Sequence, residues 1–375
     1  MEVNPGEISW TSQQNVLLLN PRLTPEARTW MTDLAVQAID SQHLTSCLIL
    51  ASSGSNTAAD RYVKLVVLAK SDFLANAVSV CDFLDLKPSD LWLRVLPLHH
   101  VGGLAILARA QISSCSVISE NVWDINQIAK VLDEYPVTYM SVVPTQVYDL
   151  VKNGIKAPNS MKALLVGGGF LSPELKESAA ELGWKVWLTY GMTETASMVS
   201  LSEDQILRSL KNVEMNVNIN GVLGIRCPSL ATGRIYRNSR DEVVFESIRD
   251  SDGWFWTEDM VEKERDGLIL LGRSSDFVKI GGEGTHMQGL REIWEIVSRG
   301  QSSTAVWAVP SERLGHEIQL LVEDSFAGSE IEIEAMKAQF NRRVLPNQKI
   351  RSVQRISVLP RSDLGKILWK KLNNR

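Results

Sequence analysis

The stretch richest in chemistry in this 375-residue chain is Tyr190-Gly191-Met192-Thr193-Glu194-Thr195. A ring suited to stacking on a base, a hydroxyl suited to a phosphate oxygen and a carboxylate suited to Mg²⁺ fall within five residues. Mg²⁺ takes oxygen ligands and shares them with nucleotide phosphates. Six other segments suit related chemistry, and each also has a plainer reading. Ser53-Gly54-Ser55 can wrap phosphate oxygens with backbone N–H groups, and Lys64 adds charge if the loop folds back. An ordinary Ser/Gly turn has the same composition. His99-His100-Val101-Gly102-Gly103 follows an apolar strand and permits close ligand approach, as does a turn with surface histidines. Gly167-Gly168-Gly169 offers bare backbone to a planar ring, or simply a turn. Asp259, closing Gly253-Trp254-Phe255-Trp256-Thr257-Glu258-Asp259, can accept from both ribose hydroxyls. Arg273, in Gly272-Arg273-Ser274-Ser275-Asp276, offers a ribose or phosphate contact. Near the end, Leu359-Pro360-Arg361-Ser362-Asp363-Leu364-Gly365-Lys366 holds a lysine beside a glycine, although a solvated charge is the commonest fate of lysine.

The elements that must position these residues alternate. Apolar runs at 44–51, 63–68, 91–96, 138–143, 162–166 and 185–189 read as strands. Ser71 or Asp72 caps a helix whose face is Phe73, Leu74, Ala77, Val78 and Cys81, and Ser172-Pro173 opens another. Such alternation implies parallel strands with helical crossovers. From about 213 to 271, short strand-like pieces with Asn220-Gly221, Asp252-Gly253 and Asp266-Gly267 turns imply a small antiparallel subdomain. After Gly272 come strands near 277–280, 304–309, 317–322 and 353–359, a helix near 290–297, and a helix capped by Ser329 and Glu332. The reading is α/β: an N-terminal domain over 1–272 with parallel α/β layers and an antiparallel β subdomain, a hinge at 273–276, and a small mobile α+β domain over 277–375.

Composition narrows the class. Net charge is -5, without the basic surplus usual in nucleic-acid proteins. Cys47, Cys81, Cys115 and Cys227 form no C-x-x-C pair and read as buried thiols in a reducing compartment. No apolar run approaches the ~20 residues of a membrane span, and the acidic start MEVNPGEISW is not a secretory signal, so the expected setting is cytoplasmic. Patterns for a Walker-type NTPase, a zincin, an α/β-hydrolase and a dinucleotide fold are missing.

Taken in order, YGMTET, GWFWTED, GRSSDFVKIGGE and LPRSDLGKIL resemble the adenylate-forming superfamily of acyl-CoA synthetases, luciferases and peptide-synthetase adenylation domains. The resemblance runs from about residue 50 to the end. LPLHHVGGLAILARA, SVVPTQVYDLV and LLVGGGFLSPEL bring it nearest to the o-succinylbenzoate–CoA ligases of menaquinone synthesis. It implies ATP, Mg²⁺ and coenzyme A as cofactors and a small carboxylic acid as substrate. It implies that Lys366 bridges carboxylate and α-phosphate, Thr193 binds the α-phosphate and Glu194 holds Mg²⁺. Tyr190, Gly191 and Gly167–Gly169 frame adenine, Asp259 and Arg273 hold ribose, Ser53, Gly54, Ser55 and Lys64 guard the outer phosphates, and His100 borders the acyl channel. Rotation about Ser275 would withdraw Lys366 and admit CoA. The chain departs from the family where NTAADRYV separates Ser55 from Lys64, where Glu258 replaces glycine, where Ser275 replaces the acidic hinge residue, and in an N-terminal domain shortened by about a hundred residues. Another aryl- or acyl-CoA ligase, a carrier-loading enzyme, and an acyl-AMP-binding protein without turnover are the alternatives.

Overall fold

The computed structural model describes residues 8–51, 64–238, 240–273, 276–280, 283–311, 314–362, 365–369 and 372. The chain forms two compact units, Met1–Gly169 with Ser178–Asn216 and Gly224–Trp256, and Phe170–Glu177 with Val217–Leu223 and Thr257–Arg375.

In the first unit, β4 (Leu91–Arg94), β5 (Ser116–Ser119), β6 (Tyr139–Val142), β7 (Ala163–Val166), β8 (Val186–Met192) and β9 (Ser197–Ser202) make a six-stranded sheet in the order β5-β4-β6-β7-β8-β9. β4 to β8 pair in parallel, and β9 returns antiparallel to β8. The helices α3 (Val101–Ser113), α4 (Ile125–Glu134), α5 (Pro144–Lys152) and α6 (Pro173–Glu181) alternate with the strands along the chain. β6 and β7 are buried along their whole length, which is why their sequences are apolar apart from Ser141. Ser172 caps α6 as expected, accepting the Leu175 N–H at 3.2 Å.

A second sheet corrects the sequence reading. β1 (Val16–Leu18), β2 (Cys47–Ala51), β3 (Leu65–Ala69), β13 (Gly233–Arg237) and β14 (Val243–Ser247) lie in that order. Only β1–β2 is parallel there; β2–β3, β3–β13 and β13–β14 are antiparallel. The β13–β14 hairpin thus leaves the expected antiparallel subdomain. Its Ile235 is fully buried in one apolar cluster with Ile49, Leu65 and Val67, beneath α1 (Pro25–Gln42), so burial decides its partner. α2 (Lys70–Leu84) starts earlier than read: its cap is Ala69, not Ser71 or Asp72, and Asp72, three residues past that cap, accepts the Ala69 N–H at 2.8 Å and closes the first turn from within.

β10 (Ile206–Leu207), β11 (Glu214–Val217) and β12 (Val222–Arg226) are short strands. In the second unit β15 (Phe255–Glu264) and β16 (Gly267–Arg273) form an antiparallel hairpin over the Asp266-Gly267 turn. β17 (Phe277–Ile280), β18 (Glu283–His286), β19 (Thr304–Ser311) and β20 (Gly315–Glu323) follow in the order β18-β17-β20-β19, and β21 (Ile350–Ile356) runs parallel beside β20. Trp294 and Val297 of α7 (Met287–Ser298) and Ile333 and Phe340 of α8 (Glu330–Asn341) bury against Val306, Ile318 and Leu320. The capping box of α8 forms as read: Glu332 N–H to Ser329 Oγ at 3.3 Å, Ser329 N–H to Glu332 Oε2 at 2.7 Å. The unbroken stretch of this unit begins at Thr257, because β16 packs on α7: a Cβ on Gly272 would stand 2.5 Å from Gln288 Cβ.

Candidate active site

The chain passes from β4 to β5 on one side and then crosses to β6 on the other. Open α/β sheets bind ligands outside the carboxyl ends of strands at such a reversal. Three sequence-predicted segments end strands on that edge: His99-His100 follows β4, Gly167–Gly169 follows β7, and Tyr190–Thr195 closes β8, with Val143-Pro144 following β6 beside them.

The Tyr190–Thr195 turn is locked by its own bonds. The Thr195 hydroxyl, fully buried, accepts the Met192 N–H at 3.1 Å and reaches Ser197 O at 2.6 Å. The Asn76 amide, buried on α2, donates to Met198 O at 2.8 Å, and Ala231 N–H donates to Glu194 O at 2.8 Å. Gly191 is a glycine for packing: an added Cβ would meet Ser197 O at 2.1 Å. The same holds for Gly167, whose Cβ would meet Thr189 Oγ1 at 2.2 Å. Both glycines therefore have a structural reason beside the nucleotide one. Thr193 is buried and Tyr190 half-buried at this edge.

The Glu194 carboxylate is engaged by a residue the sequence reading missed. Arg234 on β13 donates Nη2 and Nε to Glu194 Oε1, at 2.8 and 3.1 Å. Both bonds fall on Oε1, which leaves Oε2 as the oxygen for a hard cation. No group of three or more His, Cys, Asp or Glu side chains suited to a metal occurs among the described residues. A Mg²⁺ held mostly by nucleotide phosphates needs only one or two carboxylates, so the donor set fits.

His100 starts α3 and is buried, with the His99 ring 4.3 Å away. Burial, then His100 and Arg22, push His99 down to about 3, so it is neutral at pH 7. Further along α3, Arg109 is wholly buried. Its Nη2 donates to Ser197 Oγ at 3.0 Å, its guanidinium lies 5.3 Å from the Trp92 ring, and Nε and Nη1 have no partner among the described residues. Burial pulls its pKa down to about 10. A single arginine in LAILARAQI was the available signal for it.

Lys64 is exposed, its ammonium 5.5 Å from the centre of the Tyr236 ring. Ser53, Gly54, Ser55 and Ser275 lie outside the described residues. The four cysteines are free and buried, and burial pushes Cys47 and Cys81 up to about 11, as inert thiols require.

In the second unit, Asp259 on β15 and Arg273 on β16 are cross-strand partners, Arg273 Nε standing 3.5 Å from Asp259 Oδ1. Lys366 joins them electrostatically. Its pKa is lowered by the protein packed around it and by Arg273, against the opposing pull of Asp259 and Asp276. Much of its surface still meets water, which screens the effect.

The AMP-binding enzyme family model matches residues 47–220. The chain is 30% identical over 244 residues to 2-succinylbenzoate–CoA ligase of Staphylococcus epidermidis, covering 61% of this chain and 50% of that protein. It is 32% identical over 251 residues to 2-succinylbenzoate–CoA ligase of Bacillus mycoides, covering 61% and 51%. The chain thus spans about half the length of the curated relatives it matches. Among solved structures, o-succinylbenzoate CoA synthetase of Bacillus subtilis in complex with the acyl-adenylate OSB-AMP superposes with a TM-score of 0.80 at 19% identity, over 96% of this chain and 83% of that one. The chain shares the fold of that synthetase. The resemblance to o-succinylbenzoate–CoA ligase is borne out by the curated relatives.

Proposed function

We propose that the chain is an AMP-forming acid–CoA ligase acting on o-succinylbenzoate. In the first step a substrate carboxylate oxygen bonds to the α-phosphorus of ATP and pyrophosphate leaves. In the second the CoA thiolate attacks the acyl carbonyl and AMP leaves with the bonding electrons. The two reactants of the first step are anions, so positioning and charge neutralisation carry the catalysis. Bound Mg²⁺ neutralises phosphate charge, with Glu194 as its protein ligand. Lys366 neutralises the carboxylate and α-phosphate, Thr193 donates to that phosphate, and Asp259 and Arg273 hold ribose. Tyr190, Gly191 and Gly167–Gly169 frame adenine. Ser53, Gly54, Ser55 and Lys64 guard the outer phosphates. The substrate's second carboxylate suits Arg109, whose open N–H donors such an anion would satisfy. His100 borders the thiol channel. Residues 277–375 turn about 273–276 between the steps. A cytoplasmic setting suits four free thiols and the supply of ATP and CoA.

One observation carries the reading: His99-His100, Gly167–Gly169 and Tyr190–Thr195 end parallel strands of one sheet at its carboxyl edge, where such sheets bind nucleotides. The test is pyrophosphate release with o-succinylbenzoate and plain benzoates side by side. Release that depends on o-succinylbenzoate supports the assignment; release with benzoates alone moves the chain to another aryl-CoA ligase. The Arg234–Glu194 pair favours a second reading, a nucleotide or acyl-AMP binder without turnover. ATP binding without acid-dependent pyrophosphate release would establish it.

A further inference from the structure

Lys366 lies on a short hairpin that closes on itself. Leu368 N–H donates to Pro360 O at 2.7 Å, Ser362 N–H to Lys366 O at 2.7 Å, and Gly365 N–H to Ser362 O at 2.9 Å. Arg361 Nη1 braces the tip through Gly365 O at 2.9 Å. These bonds fix the lysine relative to its own loop, and nothing more. Two residues tie the loop to the rest of the unit: Arg361, whose Nη2 donates to Ser302 O, and Trp369, three residues past the lysine. Its ring stacks on Trp307 of β19 with 5.4 Å between centroids and 5° between planes. The Arg291 guanidinium from α7 lies 3.8 Å from the centre of the same ring. Arg291 in turn holds Asp276 by two bonds, Nη1 to Oδ2 at 2.7 Å and Nη2 to Oδ1 at 3.3 Å. Ile367 and Leu372 pack beside the stack on Ala305, Leu321 and Leu359.

We infer that Trp369, Trp307, Arg291 and Asp276 form a clasp that positions Lys366 for the adenylation step. The inference rests on the ligase reading above. The arrangement has the properties a clasp needs. A guanidinium lies flat on an indole while its edges keep hydrogen-bonding, so one side chain grips two partners. Arg291 is largely buried, with its carboxylate partner supplied by the residue that follows the proposed hinge serine. Arg291 and Asp276 are also among the lesser charges acting on Lys366, after burial, Arg273 and Asp259. Trp369, Trp307, Arg291 and Asp276 are positioning residues: they act through Lys366.

The experiment compares Trp369→Ala, Trp369→Phe and Arg291→Lys with the unsubstituted chain. Two half-reactions are measured: o-succinylbenzoate-dependent ATP–pyrophosphate exchange, and thioester formation from pre-made acyl-adenylate and CoA. Trypsin cleavage after Lys366 is followed by mass spectrometry in the same samples. Trp369→Ala should lower exchange about tenfold or more, since an ångström of misplacement is enough for that, and leave thioester formation within about twofold. Trp369→Phe should recover most of the exchange. Arg291→Lys keeps the charge but loses the flat stack, and should fall between the two. Cleavage after Lys366 should quicken in Trp369→Ala while the thermal midpoint holds. Equal loss in both half-reactions, unchanged exchange, or unchanged cleavage after Lys366 overturns the clasp. If the unsubstituted chain shows no acid-dependent exchange, the ligase reading fails, and the cleavage comparison decides the clasp by itself.

Discussion

The Tyr190–Thr195 turn and the Lys366 loop are two answers to one problem, holding a polar group still. The turn sits at the end of a buried parallel strand, and its polar groups are tied by bonds between near neighbours, with Asn76, Arg109 and Arg234 closing the remainder. The loop has a closed hairpin and reaches the rest of its unit through one Arg361 bond to Ser302 O, a stack of rings and a buried guanidinium. Rigidity of the first kind belongs to folding itself. Rigidity of the second kind can be broken by one substitution while the unit stays folded.

The largest test of that difference is the lysine. Lys366→Ala should lower acid-dependent pyrophosphate exchange by about 10²–10³, the cost of one lost transition-state donor. Thioester formation from pre-made acyl-adenylate should stay within about threefold, since the proposed hinge motion takes the loop out of that step. Equal loss in both steps would remove the contrast.

The next test is of folding. Thr195→Val keeps shape and leaves the Met192 N–H without its acceptor and Ser197 O without its donor. Unsatisfied buried groups of this kind cost about 1–3 kcal/mol each, so the thermal midpoint should fall by several degrees. Trp369→Ala should leave that midpoint almost in place. If the two variants unfold alike, both regions are fixed in the same way and the distinction is lost.

How far the sequence disclosed this follows from the range of the signals. The turn was legible because its chemistry and its geometry share one short stretch. Ser172-Pro173 and the Ser329–Glu332 box were legible for the same reason: each names its partner within four residues. The β13–β14 hairpin misled, because turn residues fix a hairpin but not the sheet it joins, and Ile235 chose its sheet by burial. Arg234 was missed because nothing near it in sequence points to Glu194, 40 residues earlier. Trp369 and Arg291 are 78 residues apart, and a tryptophan in a basic tail carries no sign of what it stacks on. Long-range pairs of this kind leave no periodicity to read.

The finest test uses pH. In the proposed ligase Lys366 acts only while charged, and its surroundings lower its pKa below that of an ordinary lysine. Exchange should therefore decline on the alkaline side as pH rises through that lowered pKa, at a lower pH than a free lysine would give. Thioester formation should show no matching limb. Lys366→Arg keeps the charge at any such pH and should lose the limb, even though its longer fork lowers the plateau. Asp259→Asn removes one of the charges that favour the protonated lysine, and should move the limb to lower pH. Trp369→Ala, by letting the loop out into water, should move it the other way. A limb that stays put in Lys366→Arg belongs to some other group, and the lysine would then have no role in the chemistry of the first step.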